Sequence, residues 1–138
     1  MPLDDLIVRN TRQWLAHARD DLELAENAVR QGTPPFMRDA AFHSQQVAEK
    51  ALKAFLTWRD LPFPRVHDLE DIGARCLQAD ASLQGLLDRV AHLSQYAWRF
   101  RYPGEPDQPA PQEVRQALQL ARETFEAILN RLPAEAQL

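Results

Sequence analysis

Apolar residues recur along this chain with the spacing of helices. Leu15, Ala18, Leu22, Ala25 and Val29 are three and four apart, which predicts one apolar stripe on a helix ending near Gly32. The same spacing returns in Ala40, Ser44, Val47, Ala51, Ala54 and Trp58, a stripe widened by Ala41, Ala48, Leu52 and Phe55. A short segment from Asp68 to about Leu77 puts Leu69, Ile72 and Cys76 on one side. A fourth starts near Ser82, a suitable N-cap, and carries Leu83, Leu86, Leu87, Val90, Leu93 and Ala97. The last opens at Pro111, whose missing N–H is harmless at a first helical position, and runs through Val114, Leu118, Ala121, Phe125, Ile128 and Leu132. No segment sustains a period of two.

The ten prolines fall almost entirely between these segments, at 2, 34, 35, 62, 64, 103, 106, 109, 111 and 133. Proline removes a backbone donor and clashes with the preceding turn, so these clusters mark where helices stop. Most connections are short, which predicts antiparallel neighbours in an all-α, up-and-down four-helix bundle with one additional short helix. The short third helix is expected to act as a lid or connector. The longest irregular stretch, about 101–110, is expected to form a bend or loop.

Composition narrows the class. The chain has 138 residues, 45% of them hydrophobic, enough for a single domain over 1–138 with one core. Its formal charge of −4 argues against non-specific coating of nucleic acid, which needs a cationic surface. Cys76 has no partner for a disulfide. The opening residues lack the cationic tip and apolar run of a signal peptide, and no apolar stretch approaches the ~20 residues of a membrane span. The expected setting is soluble and cytoplasmic. His17, His43, His67 and His92 lie on different segments, so no metal site is expected, and the scattered glycines form no phosphate loop.

Three places carry candidate chemistry. On the second helix Gln46, Glu49, Lys50 and Lys53 are three or four apart and are expected to form a solvated polar face, with Glu49–Lys53 an exposed i,i+4 pair. Next, Asp68 precedes an apolar-periodic run and is expected to cap it, with Glu70 and Asp71 at the positive helix end and His67 beside them. Third comes Trp98-Arg99-Phe100-Arg101-Tyr102-Pro103, where Pro103 pushes Tyr102 out of the α region. If these residues are extended, Arg99 and Arg101 face one way and the aromatics the other, a pairing that suits phosphate and base. Alternatively the rings close the end of the bundle while the arginines stay in water. Charge alone binds weakly: four exposed cations at about 1 kcal/mol each reach only about millimolar affinity.

Taken in order, these features resemble the HEPN family (higher eukaryotes and prokaryotes nucleotide-binding domain). Trp14, Ala18, Asp21, Leu22 and Ala25 resemble its first helix. Phe42, Gln45, Gln46, Glu49, Lys50 and Lys53 resemble its most recognisable block, and His67-Asp68-Leu69 and Arg101-Tyr102-Pro103 its two later motifs. The resemblance implies a helical bundle, commonly a homodimer, often paired with a minimal nucleotidyltransferase in a toxin–antitoxin-like module, without a cofactor. Gln46, Lys50, Lys53, Arg99, Arg101 and Tyr102 are then the expected contacts to a nucleotide, RNA or partner. Some members are metal-independent ribonucleases, marked by an arginine and a later histidine with four to six residues between them, near the start of the last long helix. Here no histidine follows Arg99 or Arg101. Arg38 and His43 fit the spacing on the second helix, His43 as acid or base and Arg38 on phosphate charge, and they give the alternative of an endoribonuclease toxin. A structural dimerisation protein without a ligand is the third possibility.

Overall fold

Two long helices set the frame. α1 (Leu3–Gln31) ends where Gly32 takes a left-handed φ of +73°, and after a two-residue turn α2 (Pro34–Trp58) starts with prolines in its first turn. Trp14 meets Lys53 and Asp21 meets both His43 and Lys50, so the two helices run antiparallel. The computed structural model describes residues 3–63, 65, 68–100, 102–103 and 108–138.

α3 (Leu69–Ala79) is capped by Asp68, whose carboxylate accepts the Glu70 N–H at 2.9 Å, as its sequence predicts. Leu69, Ile72 and Cys76 are buried. The helix packs against α2, with the Leu69 N–H bonded to Ser94 Oγ at 3.1 Å. His67 lies outside the described residues.

The fourth segment is built in three pieces. A 3-10 turn (Ala81–Leu83) leads into α4 (Gln84–Val90), and a 3-10 helix (Ala91–Ala97) completes the rod. Its cap is Asp80 and not Ser82, because the Asp80 carboxylate accepts the Ser82 N–H at 3.0 Å and the Ser82 hydroxyl at 2.6 Å. Its buried face runs Leu83, Leu87, Val90, Leu93 and Tyr96, so the spacing of four tightens to three and Tyr96 takes the place expected for Ala97. Three residues per turn is the 3-10 repeat, which brings i and i+3 onto one line.

α5 (Pro111–Leu129) returns alongside α2 and buries Val114, Leu118, Ala121, Phe125 and Ile128, with Leu132 buried just beyond its end. Near the α1–α2 turn, Ala28, Met37, Ala40 and Val114 pack together, while Arg131 at the other end holds Asp80 at 2.9 Å. Up, down, up and down, the rods form the expected all-α bundle. Among the described residues there are no strands and no helix long and apolar enough to cross a membrane.

α2 is the centre of the packing. From Val47 to Leu56 every residue but Lys50 is buried, because α1, α3, α5 and the 3-10 helix surround it. A helix in that position keeps little solvated face, and of the polar residues predicted to lie outside, Glu49 and Lys53 are drawn inward while Gln46 and Lys50 stay half-buried.

Candidate functional site

The polar block of α2 divides into two linked groups. Glu49 and Lys53 form an internal ion pair, Nζ to Oε2 at 3.1 Å, with side chains only 2% and 7% exposed; the exposed i,i+4 pair expected from helix geometry is absent. Gln45 donates to Glu49 Oε1 at 3.0 Å, and Gln46 donates to Gln45 Oε1 at 2.6 Å. Lys53 also sits 5.4 Å from the Trp14 ring and 5.8 Å from Phe63, whose rings meet edge to face. Opposite charge, amide and aromatic faces together compensate the loss of water around the ammonium.

The second group crosses from α1 to α2. Asp21 is buried and uses both oxygens: Oδ1 lies 2.8 Å from His43 Nδ1, and Oδ2 accepts Lys50 Nζ at 2.5 Å. Burial alone would raise the Asp21 carboxyl, but the hydrogen bonds from His43 and Lys50 and the charge on Lys50 outweigh it and hold it below the usual carboxylate range. The His43 ring meets the carboxylate through Nδ1, which leaves Nε2 on the far edge of the ring. The His43 side chain is 24% exposed and Lys50 22%, so both remain partly open to solvent.

Asp21 is the site residue that periodicity passed over. It stands three residues after Ala18 and four before Ala25, on the buried stripe itself, while Leu22 is only half-buried. A carboxylate at a stripe position is a readable sign of an internal partner, since such a charge stays inside only when paired.

Beside Lys50 the α1–α2 seam opens into a cleft of about 480 Å³, lined by Asn10, Gln13, Trp14, His17, Lys50 and Thr57. Ligand sites commonly have this size and this mixture of an aromatic wall with a few polar groups.

At the far end of the 3-10 helix, the predicted Arg99 site is a clamp. Arg99 Nη1 donates to Gln95 at 2.8 Å and to Glu113 Oε2 at 2.6 Å, and its guanidinium lies 4.3 Å from the Phe100 ring. The Tyr96 hydroxyl donates to the same Glu113 oxygen at 2.6 Å. Burial pushes the Glu113 carboxyl up, but Tyr96 and Arg99 together bring it below its ordinary value; burial and that carboxylate raise the Tyr96 phenol. Phe100 is buried at a left-handed φ of 71°, while Trp98 and Tyr102 are 51% and 64% exposed. Of the three rings, only Phe100 closes the bundle end. Arg101 lies outside the described residues.

The predicted contacts are therefore dispersed by role. Lys53 is committed to Glu49, Arg99 to Glu113, Gln46 to Gln45 and Lys50, still partly exposed, to Asp21, whereas Tyr102 presents exposed surface. Arg38 and His43 lie five residues apart on α2, both partly exposed.

A family model described as "HEPN domain" matches residues 11–132. The crystal structure of TT1696 from Thermus thermophilus is similar, with a TM-score of 0.74 and 27% identity, covering 88% of this chain and 98% of that one. No curated protein matches the sequence.

Proposed function

The chain belongs to the HEPN domain family, and from that premise we propose that it is a non-catalytic nucleotide- and partner-binding module, acting as a homodimer alongside a minimal nucleotidyltransferase in a toxin–antitoxin-like pair. The observation that carries the binding reading is Lys50: a cation fixed by a buried carboxylate, 22% exposed, at the edge of a cleft between two long helices. A side chain held in place loses less freedom on meeting a ligand than a mobile one. Titrating the purified protein with ATP and with a purified minimal nucleotidyltransferase, and following heat release and Tm, tests the reading. Binding to at least one is expected; silence with both refutes it.

A second reading, metal-independent endoribonuclease, draws support from the Asp21–His43 contact. A carboxylate on Nδ1 fixes the imidazole tautomer and leaves Nε2 to take or return a proton, and in this reading Arg38, five residues earlier on α2, would meet phosphate charge. Incubating total RNA in chelator with wild type and with His43→Ala separates the two. Cleavage that disappears in the variant would establish the nuclease.

A further inference from the structure

The α1–α2 cleft offers more than a place for Lys50. Its walls are two amides (Asn10 and Gln13), an indole (Trp14), an imidazole (His17), a hydroxyl (Thr57) and one ammonium (Lys50). All lie on the two long helices, Asn10, Gln13, Trp14 and His17 on α1, Lys50 on α2 and Thr57 in its last turn, so the geometry exists before any ligand arrives.

Charge decides what such a cleft accepts. The Lys50 ammonium is already matched by Asp21, and the next cation along α2, Lys53, is matched by Glu49 and buried beneath Trp14 and Phe63. The seam is thus close to neutral, although it carries two lysines. A multiply charged phosphate entering it would gain little attraction and would compete with Asp21 for Lys50. A planar, uncharged heterocycle has no such conflict. It stacks on an indole, and its ring nitrogens and exocyclic groups bond to amides, hydroxyl and imidazole, which supply both donors and acceptors.

We infer that this cleft is a nucleobase site: it takes an uncharged heteroaromatic base, held against Trp14 and read by Asn10, Gln13 and His17, with Lys50 donating its remaining N–H groups to a base or ribose oxygen. The inference rests on the binding reading above and narrows it. Recognition centres on the base, and any phosphate lies outside the cleft.

Isothermal titration of the full chain with adenosine, uridine, ATP and pyrophosphate tests this directly. A nucleoside is expected to bind, and pyrophosphate is expected neither to bind in the cleft nor to displace it. Asn10→Ala/Gln13→Ala, at positions outside the core, should weaken nucleoside binding at least tenfold, and Trp14→Leu should weaken it by a comparable factor. Arg75→Gln, on α3, should leave it unchanged. Because Trp14 also packs on the core, its variant counts only if its melting curve stays cooperative; the amide variant carries the test otherwise. ATP binding that is insensitive to the amide changes, or that pyrophosphate displaces, overturns the nucleobase site and leaves the broader binding reading standing. If no nucleoside or nucleotide binds, the nucleotide half of that reading fails with it.

Discussion

Replacing Asp21 by Asn keeps the shape of the side chain and removes its charge. Asp21 accepts from two groups, His43 at 2.8 Å and Lys50 at 2.5 Å, and its own side chain is 8% exposed. Hydrogen bonds to charged groups contribute about 1.5–3 kcal/mol each. Both partners are partly open to water, which recovers some of the loss, and Asn can still accept one of the two bonds. We therefore expect about 2 kcal/mol of destabilisation at pH 7, measured by urea denaturation with an unchanged slope. The pH dependence has a definite sign. The Asp21 carboxyl is held below its ordinary value, so its contribution is fully present above about pH 4, where the unfolded chain has also lost that proton. It fades as pH falls through the lower value of the folded protein. The gap between wild type and Asp21→Asn should thus close as pH falls below about 4. A double-mutant cycle with Lys50→Met should give a coupling of about 1 kcal/mol. A gap under 0.5 kcal/mol at pH 7, or one that does not shrink once Asp21 is protonated, would refute this account of the α1–α2 pair.

Three further outcomes are expected. Lys53→Met leaves the buried Glu49 carboxylate without its ammonium and should cost about 3 kcal/mol in urea titrations, well above the loss for an exposed helix pair; a change under 1 kcal/mol would contradict the internal pairing. Leu118→Asp places a charge where only 4% of the residue is exposed, and circular dichroism at 25 °C should show loss of the folded state. Cys76 is fully buried and burial pushes its thiol up to about 12, so iodoacetamide at pH 8 should label it only when urea unfolds the chain. Stoichiometric labelling of folded protein would show that α3 opens.

The helical frame is legible because stripe, proline and cap agree with one another. Leu118, Phe125 and Ile128 are buried where their spacing puts them, and Asp68 caps where its position before Leu69 predicts. The polar block of α2 was legible as residues but not as environment. Spacing places Glu49 and Lys53 on one face, yet it does not say how many neighbours surround that helix. Once α2 is enclosed, the same i,i+4 pair becomes internal. The fourth rod was misread for a different reason. Three-residue and four-residue spacings alternate in any α-helix, so Val90, Leu93 and Tyr96 stand out as a 3-10 run only when Ala97 is seen not to take the buried place. At the site, Asp21 could have been found from its place between Ala18 and Ala25. The cleft could not, because Asn10, Gln13, His17 and Thr57 are ordinary surface residues until two helices bring them together.

The 3-10 stretch makes the molecule sensitive to length at one particular place. Each residue there advances the chain by about 2.0 Å and turns it by a third of a revolution, against about 1.5 Å in an α-helix. Removing or adding a single residue between Ala91 and Ala97 would swing everything downstream by about 120°. Arg99 would then point away from Glu113, and the tether between this rod and the start of α5 would be lost. Because Arg99 meets Glu113 just beyond this segment, residue count within it acts as the gauge that aligns one end of the bundle.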